Sequence, residues 1–336
     1  MTSRARLPLL SRCAFSGLVL IGVVLGSSGA NAQPQGQPYR IGVLNNSFTH
    51  ASPTVKGLRA GIKAAGLEEG RDVKFDVRST GAEDRTITTL AAALAREKPD
   101  VIVAIGEKET RAATAAAPQT PVVFIQVADP VAIGLVSSVA RPGGHVTGVS
   151  DLRIELVPKR LELARELMPN LRRVLAVYDA QDAESAAAAQ KAQETAPRLK
   201  LNVVARAVRT QEEAVRELKT ATARDVLLAP ARHTLRLMEL MLNLNLYTVA
   251  PAIFGSSFWV QAGGVASYGV DNYAEGMQAA RLVTKVLRGA RPADLPVEGV
   301  NKLELAINRK TLQAFGLTIS KALAVRADRV FEGIGE

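Results

Sequence analysis

Residues able to do covalent or metal chemistry are scarce in this chain. Its three histidines, His50, His145 and His233, do not stand at the spacing of a metal-ligand pair. The one cysteine, Cys13, lies within the first 32 residues and precedes the apolar run there, so no disulfide, redox thiol or thiolate metal site is expected. Neither a phosphate-binding Gly-x-x-x-x-Gly-Lys loop nor a Gly-x-Ser-x-Gly elbow occurs. The loop after the first apolar run reads Asn46-Ser47-Phe48, which rules out a dinucleotide-binding glycine fingerprint there. Acidic residues are plentiful, but no pair of them is joined by a recognisable spacing. These absences argue against an enzyme, and no cofactor or metal is expected. Reversible binding is the chemistry that remains. The polar residues that could do it fall just after apolar runs: Asn45, Asn46 and Ser47, then Gly106 and Glu107, Asp129, Tyr178 and Asp179, Arg232, Ser256, Tyr268 and Asp271.

Those positions matter only if the runs before them are strands. Tyr39–Asn45 (YRIGVLN), Val101–Ile105 (VIVAI) and Val122–Gln126 (VVFIQ) are short, apolar and rich in β-branched residues, as strands buried on both faces are. Between them, Ser52-Pro53 is an N-cap followed by proline at the first helical position, predicting a helix to about Ala65 with Gly66 as its stop. Val73–Arg78 alternates like a strand nearer the sheet edge, and Ile87–Glu97 and Thr110–Ala117 read as helices.

The same cadence restarts with strands at Arg173–Tyr178, Asn202–Ala207 and Asp225–Ala229. The helices between and after them are Ala183–Ala196, a capping-box helix from Thr210 to about Lys219, and Thr234–Leu246. A strand around Ser267–Gly269, a helix over Tyr273–Arg288, a strand at Leu303–Ile307 and a helix at Thr311–Phe315 complete the chain. Two such series predict an α/β protein of two doubly wound parallel-sheet lobes joined by a multi-crossover hinge. The expected division is an N-terminal lobe over 39–149, completed by about 268–290, and a C-terminal lobe over 150–267, completed by about 297–336. In open parallel sheets ligands sit beyond the carboxyl ends of the strands, where the polar residues above fall.

Compartment is read from the first 32 residues. Arg4, Arg6 and Arg12 precede an apolar stretch from Ala14 to Ser28, and Ala30-Asn31-Ala32 offers a small-x-small cleavage site. A stretch of about 15 apolar residues is short for a bilayer span of roughly 20, so a cleaved signal peptide (1–32), a flexible leader (33–38) and a periplasmic location are expected. Three of the charges behind the net +10 lie in that segment. With no long Lys/Arg run, zinc-finger spacing or helix-turn-helix, the basic surface is not read as a nucleic-acid footprint.

With these stretches in view, the chain resembles the ABC transporter substrate-binding protein family, whose members include tryptophan/tyrosine-type uptake proteins. The resemblance rests on Arg40-Ile-Gly-Val-Leu44, Lys98-Pro-Asp-Val-Ile-Val-Ala104, Pro121-Val-Val-Phe124, Asp129-Pro-Val131 and Gly134-Leu-Val136. It continues through Ala140-Arg-Pro-Gly-Gly144, Val146-Thr-Gly-Val149, Lys159-Arg-Leu-Glu-Leu163, Ala262-Gly-Gly264, Ser267-Tyr-Gly269, Gly289-Ala-Arg-Pro-Ala-Asp-Leu-Pro-Val297 and Ala306-Ile-Asn308. It implies a type I periplasmic-binding fold, a monomer handing a small solute to membrane permease and ATPase subunits, and amino-acid-like or aromatic carboxylate ligands. An exported sensor presenting ligand to a signalling partner would share fold and cleft. By the same resemblance Asn45, Asn46, Ser47, Gly106, Glu107, Asp129 and Tyr268 fall in the cleft. Two departures stand out. Gly106-Glu107 replaces the family's usual Gly-Thr, and Asp179-Ala180 replaces Asn-Pro. Both would make the cleft more acidic and favour a ligand bearing an amine or several hydroxyls.

Overall fold

The computed structural model describes residues 37–45, 47, 52–79, 84–171 and 173–335. The expected signal segment and Asn46 lie outside the described residues. In chain order, β1 (Tyr39–Asn45), α1 (Pro53–Ala64), β2 (Val73–Ser79), α2 (Asp84–Arg96), β3 (Val101–Ile105), α3 (Glu107–Ala116), β4 (Val122–Val127) and β5 (Val146–Ser150) form a first lobe. A second lobe holds α4 (Val157–Leu167), β6 (Arg173–Asp179), α5 (Ala183–Leu199), β7 (Asn202–Val208), α6 (Gln211–Leu218), β8 (Asp225–Leu228), α7 (Leu237–Leu246), β9 (Ala252–Phe254), α8 (Ser257–Gln261) and β10 (Ala266–Val270). The chain returns to the first lobe with α9 (Asn272–Leu287) and β11 (Glu298–Gly299). It then adds β12 (Leu303–Asn308), α10 (Arg309–Ala314), α11 (Lys321–Arg326) and β13 (Arg329–Phe331) to the second.

The first sheet runs β11-β5-β4-β3-β1-β2 and the second β13-β12-β10-β9-β8-β6-β7. All pairings are parallel except β10 with β12. Burial on both faces explains the near-continuous apolar strands. Along β3, Val101, Val103 and Ile105 pack with α1 and α9, while Ile102 and Ala104 pack with α2 and α3 on the opposite face. In the second sheet, Val174 and Ala176 of β6 face α4 and α5, and Leu175 and Val177 face α6 and α7. This is an α/β fold of two mostly parallel, doubly covered sheets.

Three details depart from the sequence expectation. The return to the first lobe does not begin at about 268: β10, with Tyr268, hydrogen-bonds into the second sheet, and α9 is the first returning element. Glu298–Gly299, expected with the second lobe, instead pairs with β5 in the first sheet. The helix expected from Thr234 starts at Leu237, because Leu235 and Arg236 both take left-handed backbone conformations, with φ of 49° and 53°. The loop that precedes it is therefore held out of the helix.

Candidate functional site

The carboxyl ends of both sheets face one cavity of about 260 Å³. Asn45 at the end of β1, Ser52, Pro53 and Thr54 at the start of α1, Glu109 in α3 and Gln126 in β4 line it from the first lobe. From the second lobe come Pro230–Thr234 after β8, Met238, and Gly255–Trp259 around the start of α8, excluding Ser257. The crossover segments contribute Asp151, Arg153, Arg160, Val270 and Asn272. Small hydrogen-bonded residues shape the first-lobe wall. Ser52 Oγ accepts from Val55 N and caps α1, and Gln126 Nε2 donates to Thr54 Oγ1 at 3.3 Å. Gln126 itself has a φ of 61°, a conformation that costs a non-glycine residue about 1–3 kcal/mol and is concentrated at functional sites.

The second-lobe wall is aromatic. Trp259 stacks on His233 with centroids 5.7 Å apart and on Phe254 at 5.8 Å, and Phe258 meets its edge at 5.3 Å. His233 Nε2 lies 2.7 Å from Glu239 Oε1, which fixes the ring's orientation. Burial opposes ionisation of Glu239, but the bond from His233 holds its carboxyl below the usual range.

Charge gathers at the floor. Arg153 bonds Asp151, lies 3.3 Å from Glu184 and donates to the Gln126 carbonyl at 3.2 Å, linking both lobes. Burial works against its charge, yet Asp151 and Glu184 hold the guanidinium above its ordinary pKa. Arg232 of the second lobe lies 3.8 Å from Asp182 and 3.9 Å from Glu109 of the first lobe. Arg160 donates to the Tyr268 carbonyl at 2.8 Å and to the Arg153 carbonyl at 3.2 Å.

Of the residues picked out by sequence, Asn45, Ser47, Arg232 and Ser256 line the cavity. The other described ones do not, and each has a local role instead. Gly106 caps α3 with a φ of 114°. Glu107 pairs with Arg111 one turn along the helix at 2.9 Å. Asp129 accepts from Val131 N and Ala132 N in a turn, and Asp179 accepts from Gln181 N. Tyr178 ends β6. Tyr268 packs against the second-lobe core, and its carbonyl accepts from Arg160. Asp271 caps α9 and pairs with Lys302 at 2.8 Å. Glu107 and Asp179 therefore do not acidify the cavity; its acidic lining is Glu109 and Asp151. Sequence reasoning missed Glu109 because the helix was expected to begin one residue after it. Asp151 and Arg153 were missed because β5, the strand they follow, was left out of the strand pattern, although Val146-Thr-Gly-Val149 has its composition.

The family model described as ABC transporter substrate binding protein matches residues 47–331. The chain belongs to this family. It is thus a solute-binding protein and not an enzyme. A curated relative, the tyrosine-binding protein of Clostridioides difficile (strain R20291), is 27% identical over 267 residues, covering 78% of this chain and 76% of that protein. A conserved domain protein from Vibrio cholerae has a similar solved structure, with a TM-score of 0.78 and 27% identity over 88% of this chain and all of that one. A Streptococcus pneumonia ABC domain solved in complex with L-Trp gives a TM-score of 0.77 and 26% identity, over 88% of this substrate-binding protein and 100% of its own length. The fold alone is shared with more distant solved structures, among them a LacI transcriptional regulator from Lactobacillus brevis and an ABC transporter solute binding protein from Bacillus halodurans, at TM-scores of 0.53 and 0.56.

Proposed function

We propose that this chain captures a small, ring-bearing, amino-acid-like solute outside the cytoplasm and hands it to the permease and ATPase subunits of an ABC importer. The observation that carries the reading is the placement of a stacked His233–Trp259 wall beside a charged floor, in a cavity at the facing strand ends. A planar ring fits the flat face of the wall, and ionic ligand groups fit the floor. Ligand contact is assigned to Asn45, Ser47, Arg232 and Ser256, joined by Thr54, Glu109, Arg153, His233 and Trp259. Relatives that bind tyrosine or tryptophan support the same ligand class. The protein acts as a monomer in the periplasm after removal of residues 1–32, so N-terminal sequencing of the exported form should begin at Gln33.

Thermal-shift screening against amino acids, aromatic acids, sugars and purines tests the ligand class. A ligand that binds only the folded state stabilises by about 2.7 kcal/mol at one hundred times its Kd. Aromatic amino acids should give the largest upward shifts. A screen in which only sugars or purines moved the transition would sink the reading. Loss of aromatic amino-acid uptake on deletion, restored by the wild-type chain, tests the importer role.

A further inference from the structure

Three guanidinium groups line the cavity, and two of them are neutralised within the protein. Arg153 is paired with Asp151 and Glu184, and Arg232 lies between Glu109 and Asp182. Arg160 differs. It is only 3% exposed, and among the described residues no carboxylate comes within ion-pair distance of it. Its hydrogen bonds go to two neutral carbonyls, through Nε to Tyr268 and Nη1 to Arg153, and among the described residues Nη2 makes none. That Nη2 lies against Gly255, where a β-carbon would come within 2.9 Å of it, so the glycine keeps the space beside the guanidinium clear. Burial, with the neighbouring Arg153 adding repulsion, lowers the guanidinium pKa to about 10, and Asp151 only partly offsets this. A buried cation without a counter-ion is costly, and a charge-assisted, bidentate partner is what a guanidinium fork recognises best.

We propose that Arg160 is the counter-ion of a ligand carboxylate and thereby sets specificity for acids over their neutral analogues. The inference rests on the proposed solute-binding role and adds to it a required group on the ligand and the residue that reads it. The ligand lies with its carboxylate against Arg160 beside Gly255 and Ser256, and with its ring against Trp259 and His233. Arg160 then has two duties. Its carbonyl contacts tie the segment after β5 to β10, and Nη2 meets the ligand.

The test compares each acid with its amide: L-tryptophan with L-tryptophanamide, and L-tyrosine with L-tyrosinamide, by calorimetry on the mature protein. Wild type is expected to prefer the acid by about tenfold or more, the effect of losing one charge-assisted contact. In Arg160→Gln the preference should collapse toward unity, while Arg160→Lys, which keeps the charge, should retain part of it. A residue that only braced the hinge would weaken acid and amide alike and leave their ratio intact, and that result overturns the proposal. So does a wild-type protein that binds acid and amide equally, a comparison that does not depend on any variant folding. Equal binding leaves the receptor role standing. Failure of every aromatic acid and amino acid to bind removes both the role and the inference.

Discussion

Trp259 holds its place in the cavity wall through stacking on His233 and Phe254 and an edge contact with Phe258, so its indole serves both ligand surface and lobe packing. Trp259→Phe should keep the fold and lower affinity for an aromatic amino acid modestly. Trp259→Ala should lower it at least about tenfold and reduce stability by about 3–5 kcal/mol. Titration calorimetry and denaturant unfolding separate the two effects. By contrast, Glu107→Gln and Tyr268→Phe should leave affinity within about twofold of wild type, because an isolated surface i,i+4 pair contributes only about 0.3–0.5 kcal/mol and the Tyr268 contact is made by its backbone. A clear loss of binding in either variant would return those residues to the cavity wall. The contrast shows how far single residues are legible from sequence. Strand ends could be placed, which brought in Asn45, Ser47, Arg232 and Ser256. Whether a polar side chain at a strand end turns to the ligand or to its own loop depends on local hydrogen bonds: Asp129 and Asp179 spend their oxygens on turn N–H groups, as short acidic residues commonly do.

At the level of elements, the strands and helices that were legible are those with strong period or caps, such as β1, β3, the Ser52-capped α1 and the Thr210-capped α6. Less legible were β9, β11 and β13, strands of two or three residues, too short for any periodicity to register. The α7 start was also hidden, since nothing in Thr234–Leu246 announces two left-handed residues. Sequence likewise does not reveal how closely α1 and α9 pack. Gly57 and Gly276 each meet backbone of the other helix: a β-carbon on Gly57 would lie 1.9 Å from the Tyr273 carbonyl oxygen, and one on Gly276 would lie 2.1 Å from that of Thr54. Because the obstacle is backbone, the helices themselves must move apart. Gly57→Ala or Gly276→Ala should therefore destabilise by about 1–3 kcal/mol or more despite alanine's better helix propensity. Chemical denaturation checks this, and Gly70→Ala is not a suitable control because its φ is 91°. A neutral or stabilising result at both helical sites would mean that the α1–α9 contact is looser than described. Since α9 brings the returning chain onto β3, β4 and β5, that contact also anchors one side of the cavity through Asn272, which donates to Ser256 of the second lobe at 3.1 Å.

Across the whole molecule, the crossover segments concentrate charge where the lobes meet, and this makes stability depend on pH in a way that can be signed. Glu275 of α9 is fully buried beneath the cavity floor. Burial, reinforced by Asp151, pushes its carboxyl upward to about 8, while Arg153 and Gln126 pull it down. Glu184 across the crossover is raised as well, chiefly by burial. A carboxyl whose folded pKa is above its unfolded value favours folding most fully below the unfolded value, and that contribution is lost as pH rises through the folded one. Asp225 and Asp271 have the opposite sign: burial resists their ionisation, but bonds from Arg173 and Lys302 hold their carboxyls low, so their contribution fails as pH falls. The protein should accordingly be most stable in mildly acidic solution, with Tm falling as pH rises from about 4.5, the ordinary glutamate value, to about 8, an alkaline slope that levels off once Glu275 is ionised in the folded chain as well. Glu275→Gln, which keeps the shape and removes the titration, should flatten that alkaline slope and be the more stable chain at the upper end, while leaving the acid limb unchanged. Melting curves of both proteins across this range decide the matter, because an alkaline slope that persisted undiminished in Glu275→Gln would place its origin elsewhere in the molecule.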